Sequence, residues 1–337
     1  MRSPRNKTLL TSATALIGCL LVLGCACNTT NPTQPSKPFR VAFNTWIGYS
    51  PLVLAKEKGF LKDEGIDADI SFLEGVGEKN SALIRGDIDA VGHTADSAVV
   101  SAASGVDGQV IFVFDRSLGS DGILTKKSVN SIQDLKGKRV ALEPGFTGHF
   151  FFLALLSEAG MAPTDVQIVP METGLAGSTF VSGNVDAAVT WQPWLGRASG
   201  VPDGKVFITS KEKPGLIIDI LYMNRSVIES RKDDVVKLIR AMGRATDWYS
   251  SNKEEGDAIM AKFWKLSPEE QKETVAGMGF MSLQDNAAFF GTAANPGQLY
   301  QTTKTAAELW RKTDVIKKDV DPKALVAFDV LNEAARK

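Results

Sequence analysis

The sequence predicts an α/β protein built as two lobes, each a mostly parallel sheet flanked by helices. Three observations carry that expectation. From Arg40 onward short apolar strands alternate with helices of about ten residues, the signature of βαβ units. The alternation restarts at Asp121, after the turn Ser117-Leu118-Gly119-Ser120. The segment Gly86-Asp87-Ile88-Asp89-Ala90-Val91 is echoed by Gly183-Asn184-Val185-Asp186-Ala187-Ala188. In each copy a glycine ends a helix and an aspartate opens a strand. A common helix–turn–strand device used twice would give the same echo; the matching order of elements around each copy favours two similar lobes.

Element by element, Arg40 to Asn44 reads as a buried strand. Ser50-Pro51 starts a helix, Ser being a good N-cap and Pro favoured at the first helical position, and Gly59 ends it. Asp67 to Leu73 is a strand, Glu78 to Arg85 a helix closed by Gly86, Asp89 to Gly92 a strand, Asp96 to Ser104 a helix, and Gln109 to Phe114 a strand. In the second set, Asp121 to Thr125 is a strand and Ser131 to Asp134 resembles a capping box. Arg139 to Glu143 is a strand, Gly148 to Ala159 an apolar helix, Val166 to Val169 a strand, Leu175 to Val181 a helix, and Val185 to Thr190 a strand. Ile217 to Met223 reads as a strand returning to the first lobe. Helices are expected over 233–250, 254–262, 268–277, 298–310 and 322–336. The domain reading is therefore 39–118 with 219–337 as one lobe and 119–218 as the other.

With 337 residues, 44% hydrophobic and 23% charged, the chain has an ordinary globular composition, long enough for two cores. A net charge of −1 argues against a nucleic-acid partner. All 3 cysteines lie between Cys19 and Cys27, so the globular part has no disulfide framework, and 2 histidines, His93 and His149, give no metal-ligand spacing. Arg2, Arg5 and Lys7 precede an apolar run from Thr8 to Gly24, the layout of an export signal. Val22-Leu23-Gly24-Cys25 resembles a bacterial lipobox, as does Leu16-Ile17-Gly18-Cys19. Cys25 is preferred because a polar tether, residues 26–38, follows it, whereas Cys19 would leave an apolar stub; Cys27 is a third choice. The expectation is a signal peptide over 1–24, a lipid on Cys25, and a place in the cell envelope on a bacterial membrane.

The segments Thr45-Trp46-Ile47-Gly48-Tyr49-Ser50-Pro51-Leu52, Ala55-Lys56-Glu57-Lys58-Gly59-Phe60, Gly86-Asp87-Ile88-Asp89-Ala90 and Asp134-Leu135-Lys136-Gly137-Lys138-Arg139-Val140-Ala141 resemble solute-binding proteins of ABC importers. The nearest group is the nitrate/sulfonate/taurine/thiamine-precursor family, and the similarity spans Phe39 to Arg336. The resemblance implies a two-lobed periplasmic binding protein fold of type II-like form, with the ligand in the interlobe cleft. It also implies capture of a small solute by a monomer, delivery to a permease and its ATPase, no cofactor and no chemistry. An enzyme alternative exists, because pyrimidine-precursor synthases of the thiamine pathway share the fold. Enzyme signatures are missing: Gly75-Val76-Gly77 lacks the third glycine of a dinucleotide fingerprint, and there is no Walker lysine motif or Gly-x-Ser-x-Gly elbow.

In open α/β sheets ligands sit beyond the C-terminal strand ends, near helix N-termini. That rule nominates Trp46 and Tyr49 after the first strand, Asp96 after the third, and Ser117 and Asp121 at the crossover. In the second lobe it nominates Thr147, His149, Trp191 and Gln192. Each has a structural alternative. Trp46 and Tyr49 would equally cover a core, Asp96 and Thr147 would serve as helix caps, and His149 would pack in its helix. The nominated loops hold Glu74, Asp96, Asp115 and Asp121 against one strong base, Arg116. An anion is open to capture by helix N-terminal amides and hydroxyls. Clustered acids beside Trp46, Tyr49, Trp191 and Trp194 suit a cation better. The expected solute is a sulfonate, nitrate or taurine-like compound, or a small nitrogenous cation, the latter slightly preferred.

Overall fold

A computed structural model describes residues 37–336; the export signal, Cys25 and all but the last two residues of the tether lie outside the described residues. In chain order its strands are β1 (Phe39–Phe43), β2 (Ala68–Phe72), β3 (Ala90–Thr94), β4 (Gly108–Ser117), β5 (Asp121–Lys126) and β6 (Arg139–Leu142). They continue with β7 (Gln167–Pro170), β8 (Ala187–Trp191), β9 (Gly204–Thr209), β10 (Ile218–Asn224) and β11 (Met278–Phe280). One sheet has the order β11-β4-β10-β3-β1-β2 and the other β7-β6-β8-β5-β9. The chain leaves the first sheet between Ser117 and Asp121 and returns between Thr209 and Ile218.

The α/β class stands, with sheets that are mixed rather than mostly parallel. β1 pairs in parallel with β2 and β3, and β6 with β7 and β8. The crossover strands run the other way: β10 comes back from the second sheet and inserts antiparallel between β3 and β4, and β5 lies antiparallel between β8 and β9. Apart from the edge strand β11, the two sheets thus have the same layout, with β3 and β8 in equivalent central places. These are the strands that the two echoed segments open.

The echo has a physical function. Asp89 accepts from the backbone N–H of Arg40 at 2.8 Å and donates its own N–H to the Arg40 carbonyl; Asp186 does the same with Arg139 at 3.0 Å. Each aspartate therefore clasps the first turn of the central strand to its parallel neighbour. Gly86 and Gly183 adopt positive φ, 71° and 77°, which ends the preceding helix and turns the chain into that clasp.

The helix Thr147–Glu158 buries Phe150, Phe151 and Phe152 completely. At roughly 1.5–3 kcal/mol for each large apolar side chain removed from water, this helix anchors the second sheet to the shared core. Several elements differ from the sequence reading. β9, β11 and the helices Arg225–Ser230 and Leu283–Phe290 are among the additional ones. The expected helix over 322–336 is helical only in Phe328–Ala335, because residues Leu325 to Ala327 bond to Val110 along β4 instead. Among the described residues no helix is long and apolar enough to cross a membrane.

Candidate functional site

The site forms where two rows of residues face each other across the sheets. On the first sheet, register places Thr94, Asp219 and Asp115 side by side on β3, β10 and β4. On the second, Asp121 opens β5 opposite Trp191, the last residue of β8. The rows meet at two points: the hydroxyls of Thr94 and Thr147 share a hydrogen bond, and the Trp46 and Trp191 rings stand 5.7 Å apart.

Between them lies a narrow chamber, about 10 Å³, lined by Asn44, Trp46, Tyr49, Thr94, Asp121, Phe146, Thr147, Trp191, Ile217 and Asp219. Trp46 and Trp191 also line a larger outer cleft, about 200 Å³ and open to solvent, with Glu74, Glu143, Glu172, Gln192, Trp194 and Trp264 around it. The tryptophan pair therefore stands at the boundary between cleft and chamber.

Buried acids line the chamber, Asp121 and Asp219, and Asp115 lies beside Asp219 on the next strand. Asp115, Asp121 and Asp219 are 0%, 7% and 2% exposed. Asp219 accepts from the Trp46 indole N–H at 3.0 Å, whereas Oδ2 of Asp121 and both oxygens of Asp115 have no partner. Burial, reinforced by the neighbouring acids, pushes Asp115 and Asp219 well above the usual carboxylate range. Burial raises Asp121 to about 6, with the Ser117 hydroxyl pulling the other way. The nearby base is Lys79, fully buried, which donates to Asn44 Oδ1 at 2.5 Å and to the Gly92 carbonyl at 3.0 Å. Burial lowers its ammonium to about 7, so it neutralises the cluster only in part. Among the described residues no group of His, Cys, Asp or Glu is arranged to hold a metal ion. The unsatisfied acceptors are open to a cation or to protons.

Gly48 makes the indole position possible. A Cβ there would collide with both Trp46 Nε1 and Asp115 Oδ2. Gly48→Ala should therefore displace Trp46 and cost about 1–3 kcal/mol. Thermal unfolding together with near-ultraviolet circular dichroism checks this; an unchanged midpoint and tryptophan signal would show that the packing is looser than described.

Of the nine nominated binding residues, Trp46, Tyr49, Asp121, Thr147 and Trp191 line the chamber, and Gln192 lines the outer cleft. Three line neither space. Asp96 sits buried at a helix start, where burial first and then Asp121 raise it to about 7, and its backbone carbonyl accepts from Trp310. Ser117 bonds to Ser210 at 2.6 Å and braces the crossover. His149 accepts from the Gly145 N–H, stacks near Trp310 at 5.5 Å, and is held neutral by burial, at about 4. Sequence reasoning passed over Asn44, Ile217 and Asp219. An aspartate inside the apolar run Ile217 to Met223 was the available signal for the last of these, since a strand interior seldom accepts an acid without a use for it.

Comparison with known proteins gives the family. A family model described as NMT1/THI5 like matches residues 46–256. A Brucella abortus (strain 2308) protein named only as a binding protein is 30% identical over 235 residues, which is 68% of this chain and 72% of that one. The taurine-binding periplasmic protein of Escherichia coli K12 is 26% identical over 221 residues, 63% of this chain and 68% of that one. The alkanesulfonate-binding protein of Xanthomonas axonopodis pv. citri, solved with MOPS, superposes with a TM-score of 0.70 at 19% identity, covering 86% of this chain and 97% of that one, a likeness of fold. On the family match and the Brucella relative together, the chain belongs to the NMT1/THI5-like family, and the named relatives give it the role of a solute-binding protein.

Proposed function

We propose that the two facing rows part to admit a compact nitrogenous cation, amine- or guanidine-like, to the chamber, and that the protein delivers it to the permease and ATPase of an ABC importer. In this reading the protein acts as a monomer held at the membrane by a lipid on Cys25. Residues 39–118 with 219–337 form one lobe and 119–218 the other, and they close on the solute about the crossovers.

The observation that carries the cation is Asp121. Its Oδ2 is buried, unpartnered and in the chamber wall, with Asp219 in the same wall. An anion about 4 Å from an ionised Asp121 would be repelled by roughly 4 kcal/mol at an effective dielectric near 20. A cation gains by the same amount, and the faces of Trp46 and Trp191 add cation–π attraction. The second reading is a sulfonate, favoured by the names of the taurine- and alkanesulfonate-binding relatives. Such an anion would rest on the Asn44 amide and the N-terminus of the helix that Thr147 begins.

Thermal-shift measurement tests the two directly. Guanidinium, alkylammonium and aminopyrimidine salts are compared with taurine, alkanesulfonates and nitrate at matched ionic strength. A cation at one hundred times its Kd should add about 2.7 kcal/mol of stability. Stabilisation by the anions alone would transfer the assignment to the sulfonate reading. Recovery of the bound solute unchanged after denaturation separates binding from turnover.

A further inference from the structure

We infer that the solute carries a hydrogen-bond acceptor beside its cationic N–H groups, and that Asn44 selects it by reading that acceptor. The inference rests on the cation reading above and deepens it.

Asn44 follows β1, is 1% exposed and lines the chamber. Its side-chain oxygen is fully used: it accepts from the Tyr49 hydroxyl at 3.1 Å and from Lys79 Nζ at 2.5 Å. Lys79 also donates to the Gly92 carbonyl, so it lies between two acceptors. These contacts fix the orientation of the amide, with the oxygen toward Lys79 and Tyr49 and the NH2 group turned away. That NH2 group is buried and has no partner. The contact with Lys79 also polarises the amide and strengthens Nδ2 as a donor.

The chamber wall thus presents two unmet demands, which a solute meets once the facing rows part to admit it: an acceptor, Asp121 Oδ2, and a donor, Asn44 Nδ2. A simple alkylguanidinium answers the first and leaves Asn44 desolvated and unpaired. A cation that also bears a carbonyl oxygen answers both. A site built to donate a hydrogen bond rejects an analogue lacking the acceptor far more strongly than an apolar pocket rejects a missing methylene. The ligand class is therefore a compact acylated guanidinium or amino-amide rather than a plain alkyl cation.

The test is calorimetric titration of the purified chain with N-acetylguanidine and n-propylguanidine, near-isosteric cations that differ in the carbonyl, at a pH where both are protonated. The wild type should bind N-acetylguanidine at least about tenfold more tightly. Asn44→Asp keeps an oxygen for Tyr49 and Lys79 and replaces the NH2 donor by an acceptor; it should abolish that preference or reverse it. Equal binding of the two probes by the wild type overturns the inference while leaving the cation reading intact, and this comparison needs no variant to fold. Persistence of the preference in Asn44→Asp also overturns the assignment to Asn44. If neither guanidine binds and a sulfonate does, the cation reading itself fails and takes this inference with it.

Discussion

Asp121→Asn is expected to weaken binding of a guanidinium or alkylammonium probe by roughly 2–4 kcal/mol, the usual consequence of removing one partner from a buried charge pair. The side chain is nine-tenths buried, opens β5 opposite Trp191, and leaves Oδ2 without a protein partner. Asn has nearly the same volume, so the loss reports charge rather than packing. The direction of the change is as informative as its size. If the natural solute is a sulfonate, Asp121→Asn removes a repulsion and binding tightens. Calorimetric titration of both proteins with guanidinium and with an alkanesulfonate reads both signs in one experiment. A tighter Asn variant would end the cation assignment and leave the solute-binding one in place.

Much of the fold was legible because its signals are local. Gly86 and Gly183 needed positive φ, the aspartates three residues later clasp the neighbouring strand, and the echo between them predicted two similar lobes; the described residues hold two sheets with the same strand layout apart from β11. The direction of the crossover strands was not local. Nothing in Ile217 to Met223 says that this strand inserts between β3 and β4, yet that insertion places Asp219 beside both Thr94 and Asp115. The strand-end rule found Trp46, Asp121 and Trp191, because loops after strands face the cleft in this architecture. It missed Asp219, which lies within a strand, and Asn44, whose importance arises only when Lys79 and Tyr49 orient it. His149 illustrates the opposite failure: its position at a helix start satisfied the rule, but the neighbouring Trp310 and the Gly145 N–H occupy the ring.

The same carboxyl should set a pH dependence of stability in the empty protein. Asp121 titrates near 3.8 in an unfolded chain and is raised to about 6 in the folded one, chiefly by burial. Its stabilising contribution is therefore fully present below the unfolded value and is lost as pH rises through the folded value. A shift of about two units corresponds to roughly 3 kcal/mol. Asparagine does not titrate, so the stability of Asp121→Asn relative to wild type should climb by about that amount between pH 4 and pH 7 and then level off. The difference between the two proteins is the quantity to follow, because other buried groups titrate in the same range. His149, held neutral to about 4, loses stability in the opposite direction as pH falls; Asp96, raised to about 7, loses it over the same range as Asp121, and Lys79, lowered to about 7, gains it as pH rises above that. Urea unfolding of both proteins across this range measures it. A difference that stays constant would mean that Asp121 is already solvated when the cleft is empty, and the cation reading would lose its physical basis. A difference that climbs as expected, and that a saturating guanidinium salt reverses at neutral pH, identifies Asp121 as a charge that destabilises the empty chamber and supplies affinity once a cation neutralises it.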